Sequence, residues 1–349
     1  MSQRINLDHA ATTPLRPEAR AGVEEGFRIW ANPSSPHADG RKARSLLEDA
    51  RARIKEAMGW DGELIFTSGA SEAAALALGQ AKGGARFVGA VEHDAVIQAA
   101  TDAERLAIEG NGMVSLETLE GADKPVVAVQ HVNSETGARQ EIRTLAARVQ
   151  AIGGLLVCDC AQSAGKFALP ECDMEIVSAH KFGGPIGIGA LLVRDYAMLH
   201  PTGGHERGYR RGTENLPGAL GMAAALEACG DPYVDPQVLE PLDALAEECR
   251  ALGGTWLSDQ LADPTPYIRA IAMPRISGSA QVMRFDMAGI AVSQGSACSS
   301  GTMKTSRVLE AMGVDPDIAT RTIRFSVGWN TKREEVERFC DVWLDMAKG

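Results

Sequence analysis

Positive charge is scarce in this chain of 349 residues: 35 Lys and Arg face 46 Asp and Glu, a formal net charge of −11. Phosphate backbones are bound by clustered Lys and Arg, so nucleic acid is not an expected partner. The basic residues that do cluster, Arg41-Lys42-Ala43-Arg44, are followed by Glu48-Asp49-Ala50-Arg51 along a helical stretch and read as a solvated face. Long apolar runs are missing too. Nothing approaches the roughly 18 uncharged apolar residues that span a bilayer, and the opening Met1-Ser2-Gln3-Arg4-Ile5 lacks the apolar core of a signal peptide. No membrane association is expected. The seven cysteines are odd in number and scattered, which excludes a disulfide framework and makes a reducing cytoplasm the expected location. Neither a Cys-x-x-Cys nor a paired His is available to turn Cys158 and Cys160 into a metal site, so both read as small buried strand residues.

Apolar residues make up 45% of the chain and charged ones 23%, the composition of an ordinary globular protein. The length is too great for one small core and suits a large domain with a smaller companion. Ala43, Leu46, Leu47, Ala50, Ile54, Ala57 and Met58 follow the helical period. Strands are predicted at Leu64–Phe66, Arg86–Val91, Val126–Gln130, Leu155–Cys158, Ile176–Ser178 and Ile188–Val193, alternating with helical stretches. Continuous apolar strands separated by helices imply a mainly parallel sheet covered on both faces, with ligands at the C-terminal strand ends. Beyond Pro232 and Pro236 the pattern changes. Strands are expected at Tyr267–Met273, Ile290–Ser293 and Arg321–Val327, with helices near 279–287 and over Glu334–Lys348. The expected fold class is α/β: a large domain over 16–234 carrying a mainly parallel seven-stranded sheet, and a smaller α+β domain from 1–15 and 235–349.

Three local features point to one site. Thr67-Ser68-Gly69-Ala70-Ser71-Glu72 is a strand-to-helix turn whose free N–H groups and Ser71 hydroxyl suit a phosphate, although Ser before Glu is also an ordinary N-cap. Val157-Cys158-Asp159-Cys160-Ala161-Gln162 ends an apolar strand on a carboxylate, which is costly to bury unless paired. A protonated pyridine nitrogen is one such partner; a helix cap is the simpler alternative. Ile176 to Gly184 sets Lys181 just beyond a buried strand and before glycines. A desolvated amine there can form a Schiff base, whereas a surface loop lysine would need no such setting.

Taken together, Ser178-Ala179-His180-Lys181 and an Asp-x-x-Gln motif 22 residues before the lysine resemble the NifS/IscS-type cysteine desulfurases. These belong to the class-V aminotransferase group of fold-type-I pyridoxal-phosphate enzymes. The resemblance runs along nearly the whole chain. It includes Leu7-Asp8-His9-Ala10-Ala11-Thr12-Thr13-Pro14, Asn32-Pro33-Ser34-Ser35-Pro36-His37, Glu92-His93-Asp94-Ala95-Val96 and His131-Val132-Asn133-Ser134-Glu135-Thr136-Gly137. Gly204-His205-Glu206-Arg207-Gly208, Arg211-Gly212-Thr213-Glu214-Asn215, Ser296-Ala297-Cys298-Ser299-Ser300-Gly301 and Arg324-Phe325-Ser326-Val327-Gly328 follow in family order.

The resemblance implies that the cofactor is pyridoxal 5'-phosphate and that Lys181 holds it as a Schiff base. Asp159 would pair with the ring nitrogen, Gln162 would bond the ring hydroxyl, and His93 would stack on the ring and carry protons. Ala70, Ser71, Ser178 and His180 would hold the phosphate. Thr213 would reach the phosphate of a neighbouring subunit, which implies a homodimer. Asn133 and Arg324 would contact the substrate, Arg324 clamping its carboxylate, a task for a planar bidentate donor. The implied reaction takes sulfur from L-cysteine, giving L-alanine and a persulfide on Cys298 for an acceptor such as an iron–sulfur scaffold. The small-residue run around Cys298 supports this, since a thiol in an exposed loop can ionise whereas a buried one is inert.

Four positions depart from the usual pattern: Ser71 stands where Thr is commoner, Asp94 for Pro, Ser134 for Asn and Ile186 for Lys. Ser71 keeps the hydroxyl. Ile186 removes a positive charge near Lys181. Two rival readings are a lyase acting on selenocysteine or cystine, and a non-catalytic homologue that binds a sulfur acceptor. A dinucleotide site is disfavoured because the glycines at 183–189 lack the required spacing.

Overall fold

The computed structural model describes residues 4–295 and 306–349. Its main sheet has seven strands in the spatial order Glu63–Thr67, Gly189–Val193, Met174–Ser178, Leu155–Asp159, Val126–Gln130, Arg86–Gly89 and Glu104–Leu106. Neighbours are parallel except that Gly189–Val193 runs antiparallel to both of its partners. The strands are apolar along their length because both faces are covered. Alternate side chains feed two separate cores. Leu64, Phe66, Val127, Val129, Leu156 and Leu192 pack on one side, while Ile65, Val88, Ala128, Val157, Ile176 and Leu191 pack on the other.

Helix Ala38–Ala57 covers the first face with Ala43, Leu47, Ala50 and Ile54, an apolar stripe at helical spacing. Helix Leu216–Glu227 packs beside it and is buried along most of its length. The opposite face carries helix Ala70–Gln80, whose Ala73, Ala74, Ala77 and Leu78 let it lie close to the strands.

A third core draws on Leu7 and on residues from Tyr233 to Trp343. Its sheet is antiparallel, in the order Thr322–Ser326, Ile268–Ala272, Thr255–Trp256. Closing helix Arg333–Lys348 buries Val336, Phe339 and Trp343 there, with Phe339 stacked 5.0 Å from Phe285. The start of the chain joins this part, since Ile5–Asn6 pairs in parallel with Ile290–Ala291. Among the described residues no helix is long and apolar enough to cross a membrane.

Most predicted strands fall where the apolar runs placed them. The strand expected to reach Val91 stops at Gly89, because the chain turns there with the Glu92 N–H donating to the Gly89 carbonyl. The edge strand Glu104–Leu106 has no apolar run, its Glu104 and Arg105 being exposed, and it forms only through pairing with Arg86–Gly89.

Candidate active site

Thr67 and Ser178 both lie opposite Gly189, at the edge where the parallel strands end. Gly189 has to be glycine. A Cβ there would lie 2.4 Å from the Val177 carbonyl oxygen and 2.8 Å from Gly69 Cα. Its absence lets the Ser68–Gly69 turn settle onto the sheet edge, where Gly69 has φ +150° and starts helix Ala70–Gln80. The first N–H groups of a helix have no partner within it. Around Gly69 there is room for a ligand to meet them, since a Cβ at that position would find only Ser178 Oγ at 3.9 Å. Ala70, Ser71, Ser178 and His180 line this end of a cavity of about 460 Å³.

Asp159 ends its strand beside Gln130, and both line the cavity floor. The Asp159 Oδ1 accepts the Ala161 N–H at 2.9 Å. Burial pushes this carboxyl up; the Ala161 N–H, His93 and Lys181 pull it back toward the ionised form. Gln162, one short turn on, donates from Nε2 to the Ala10 carbonyl at 2.8 Å.

Lys181 sits three residues past its strand, half-buried, with Nζ donating to the carbonyls of Ala10 at 2.6 Å and Ala11 at 2.9 Å. The N-terminal segment is strapped to the same turn: Thr13 N–H donates to the His180 carbonyl and Thr13 Oγ1 to the Lys181 carbonyl. His180 meets Thr12 Oγ1 at 3.2 Å, and burial together with Lys181 and Lys166 lowers its pKa to about 4.

On the opposite wall, His93 caps helix Asp94–Ala99 by accepting the Ala95 N–H at Nδ1, which puts the proton of the neutral ring on Nε2. Arg324 comes from the smaller sheet. It is 3% exposed, donates to Asp8 Oδ1 at 2.6 Å and to the Ser134 carbonyl at 2.8 Å, and keeps a buried Nε without a partner among the described residues.

The cavity thus gathers Ala70, Ser71, His93, Asp159, Gln162, Ser178, His180, Lys181 and Arg324. It does not take in Asn133, whose Oδ1 is occupied by the N–H groups of Glu135 and Thr136 and by the Thr136 hydroxyl. Thr213 is exposed and outside this cavity. Cys298 lies outside the described residues. Ile186 stands on the rim, 78% exposed.

Sequence reasoning passed over the Ala10 and Ala11 carbonyls, which as backbone atoms leave no mark in the sequence. It also passed over Gln130, a polar residue ending an apolar strand just as Asp159 does. Lys166 was missed as well, although its place four residues after Gln162 was readable as one helical turn.

The residues fit pyridoxal phosphate on the evidence of this geometry: an amine, a buried carboxylate and an open helix N-terminus share one cavity of suitable size. Known proteins give independent findings. The family model described as aminotransferase class-V matches residues 5–339. A cysteine desulfurase of Cereibacter sphaeroides is 35% identical over 367 residues, covering 97% of this chain and 95% of the relative. The X-ray structure of a NifS-like protein from Rickettsia africae superposes with a TM-score of 0.87 at 26% identity, covering 99% of this chain and 100% of that one. A structure described as SspA in complex with cysteine gives a TM-score of 0.79 at 26% identity, over 93% of this chain and 99% of that one.

Proposed function

The chain belongs to the aminotransferase class-V family, and on that premise we propose that it is a cysteine desulfurase, taking sulfur from L-cysteine and releasing L-alanine. The observation that carries the reading is the convergence of Lys181, Asp159, His93 and Arg324 on one cavity at the sheet edge. When bound, pyridoxal phosphate supplies an aldehyde that condenses with amines and a ring that withdraws electrons from the bonds of the substrate's α-carbon.

This chain's own residues supply the rest. Lys181 would hold the cofactor and, once displaced by the substrate amine, take the α-proton on Nζ. The Ala10 and Ala11 carbonyls keep that nitrogen at the cavity wall. Asp159 would hold a proton on the ring nitrogen, because a carboxylate in a buried floor is stabilised by a cation against it. Gln162 would bond the ring hydroxyl, and the helix start with Ser71, Ser178 and His180 would hold the phosphate. His93 would carry a proton at Nε2 for the thiol chemistry. Arg324 would take the substrate carboxylate. Its unpartnered Nε supports that assignment, while the contacts to Asp8 and Ser134 fix the guanidinium in place.

We assign the sulfur acceptor to Cys298. Its thiolate attacks the substrate sulfur, a S–S bond forms, and the C–S bond breaks with its electron pair left on the amino-acid carbon. That carbon takes up a proton to end as alanine. The other six cysteines support the choice, for none of them lines the cavity. Burial pushes the thiols of Cys158, Cys160, Cys229, Cys249 and Cys340 up. Cys172 also ends raised, although its bond to Cys158 acts the other way.

The exposed position of Thr213, away from the cavity of its own chain, supports a homodimer in which it serves the neighbouring site. An iron–sulfur scaffold is the proposed acceptor of the persulfide, and the free thiols suit a reducing cytoplasm. The test is product stoichiometry: with L-cysteine, pyridoxal phosphate and a reductant, sulfide and alanine should form in equal amounts. A cofactor-loaded protein that forms no alanine would rule the reading out.

A further inference from the structure

One buried amine is left over by this mechanism. Lys166 is 8% exposed, and its Nζ lies 3.4 Å from Gln162 Oε1 and 5.6 Å from the ring centre of Tyr233. Burying an ammonium is costly unless it is paired, yet among the described residues no carboxylate forms an ion pair with it. Its charged and titratable neighbours are mostly basic. Lys181 and His180 come from the cofactor turn and His9 from the N-terminal segment, while Arg16 shares the Tyr233 ring and the Cys229 thiol acts in the opposite sense to Lys181. A structural lysine would not be expected in such company.

A continuous polar chain links this amine to the cavity. Lys166 Nζ faces Gln162 Oε1, Gln162 Nε2 donates to the Ala10 carbonyl, and that same carbonyl accepts from Lys181 Nζ. We propose that Lys166 is a positioning residue of the desulfurase site. It would lock the Gln162 amide with an N–H toward the cavity and set, through the shared Ala10 carbonyl, the field in which Lys181 holds the cofactor. This inference rests on the functional reading above.

The lock acts from both sides. Turning the amide over would set Oε1 against the Ala10 carbonyl, two acceptors facing, and the NH2 group against the Lys166 ammonium, two donors facing while that amine is protonated. With the amide fixed, one Nε2 hydrogen goes to Ala10 and the other remains for a ligand oxygen that carries negative charge, such as a ring hydroxylate. The Lys166 amine is itself lowered to about 7 by burial and by Lys181, so its charge changes within the working pH range.

The test compares wild type, Lys166→Met and Lys166→Arg, each loaded with pyridoxal phosphate. The readouts are the pH midpoint of the visible cofactor absorption and the kcat and KM for L-cysteine. Removing the cation and freeing the amide both make the cofactor site more basic, so the midpoint in Lys166→Met should rise by roughly one pH unit. Its kcat should fall with KM nearly unchanged, and Lys166→Arg should restore the midpoint. An unmoved midpoint in Lys166→Met, beside a wild type that binds cofactor and releases alanine, would overturn this inference alone. A wild type with no visible band would overturn the functional reading and this inference with it. Should Lys166→Met not fold, 13Cε-lysine labelling of wild type decides: loading the cofactor should raise the Lys166 titration midpoint, and no change would overturn the proposal.

Discussion

Cys298 and Lys181 are assigned different steps, and single substitutions separate them. Cys298→Ala should abolish sulfide release and persulfide formation while keeping the cysteine-induced change in the cofactor spectrum. An alanine variant with full sulfide release would move the acceptor elsewhere. Lys181→Ala should lose the stable visible band and cut turnover by several orders of magnitude, since it removes both the tether and the base. Asp159 and Lys181 stood out in the sequence as charged residues at and just beyond the ends of apolar strands, but each alone allowed a plainer reading, a helix cap or a loop lysine, and the family resemblance supplied their roles. Arg324 was legible only through the family resemblance, as nothing in Arg-Phe-Ser-Val alone says that its strand faces the larger sheet's cavity. The Asn133 amide differs from the carried-over role: its oxygen accepts from its own turn and its nitrogen donates to the Val91 carbonyl at 3.4 Å.

Elements bring in charges that a strand or helix pattern does not announce. The strand Met174–Ser178 carries Glu175 with no exposure at all, beside the Cys172 thiol, and burial raises its carboxyl to about 8. A raised carboxyl binds more protons in the folded than in the unfolded state, so its contribution to stability falls as pH rises from about 4.5 toward 8. Glu175→Gln should therefore raise Tm more at pH 8 than at pH 5. Equal effects at both would show that the carboxyl ionises normally. Helix Ala38–Ala57 buries Arg51 in a two-bond pair with Glu206, at 2.8 and 3.0 Å, and the same carboxylate caps the Phe66 N–H. Arg51→Met should cost about 3–5 kcal/mol in denaturant unfolding, because it leaves a buried carboxylate without its cation. A loss below about 1 kcal/mol would mean that water reaches Glu206. Apolar period and run length made the helix and the central strands readable. They gave no sign of the edge strand Glu104–Leu106, which owes its existence to its neighbour.

Across the whole molecule, two buried histidines couple the fold to pH. His9 and His131 lie in the N-terminal segment and after the strand Val126–Gln130, and burial lowers each to about 4, helped by Lys166 and Arg139 respectively. The unfolded chain binds more protons than the folded one between about 4 and 6.5. Stability is therefore fully present above that window and is lost as pH falls through it. For His131 the loss is on the order of 2–3 kcal/mol, so the apoprotein of His131→Gln should lose less Tm between pH 7 and pH 4.5 than wild type. Parallel pH curves for the two would contradict this. The mainly parallel sheet of the larger part was foreseeable from apolar strands alternating with helices, and the change of pattern after Pro232 marked a smaller α+β part without giving the antiparallel order of its sheet. The way the two parts meet was not foreseeable, because the cavity is closed by contacts such as Arg324 with the Ser134 carbonyl and Lys181 with Ala10, which join residues far apart in the chain.

The most direct measurement is the absorption spectrum of the purified protein with pyridoxal phosphate, taken before and after L-cysteine, with sulfide and alanine assayed in the same sample. The account predicts a visible band that shifts on adding cysteine and equal yields of the two products. A protein that takes up no cofactor, or a band that cysteine leaves unchanged, would contradict it.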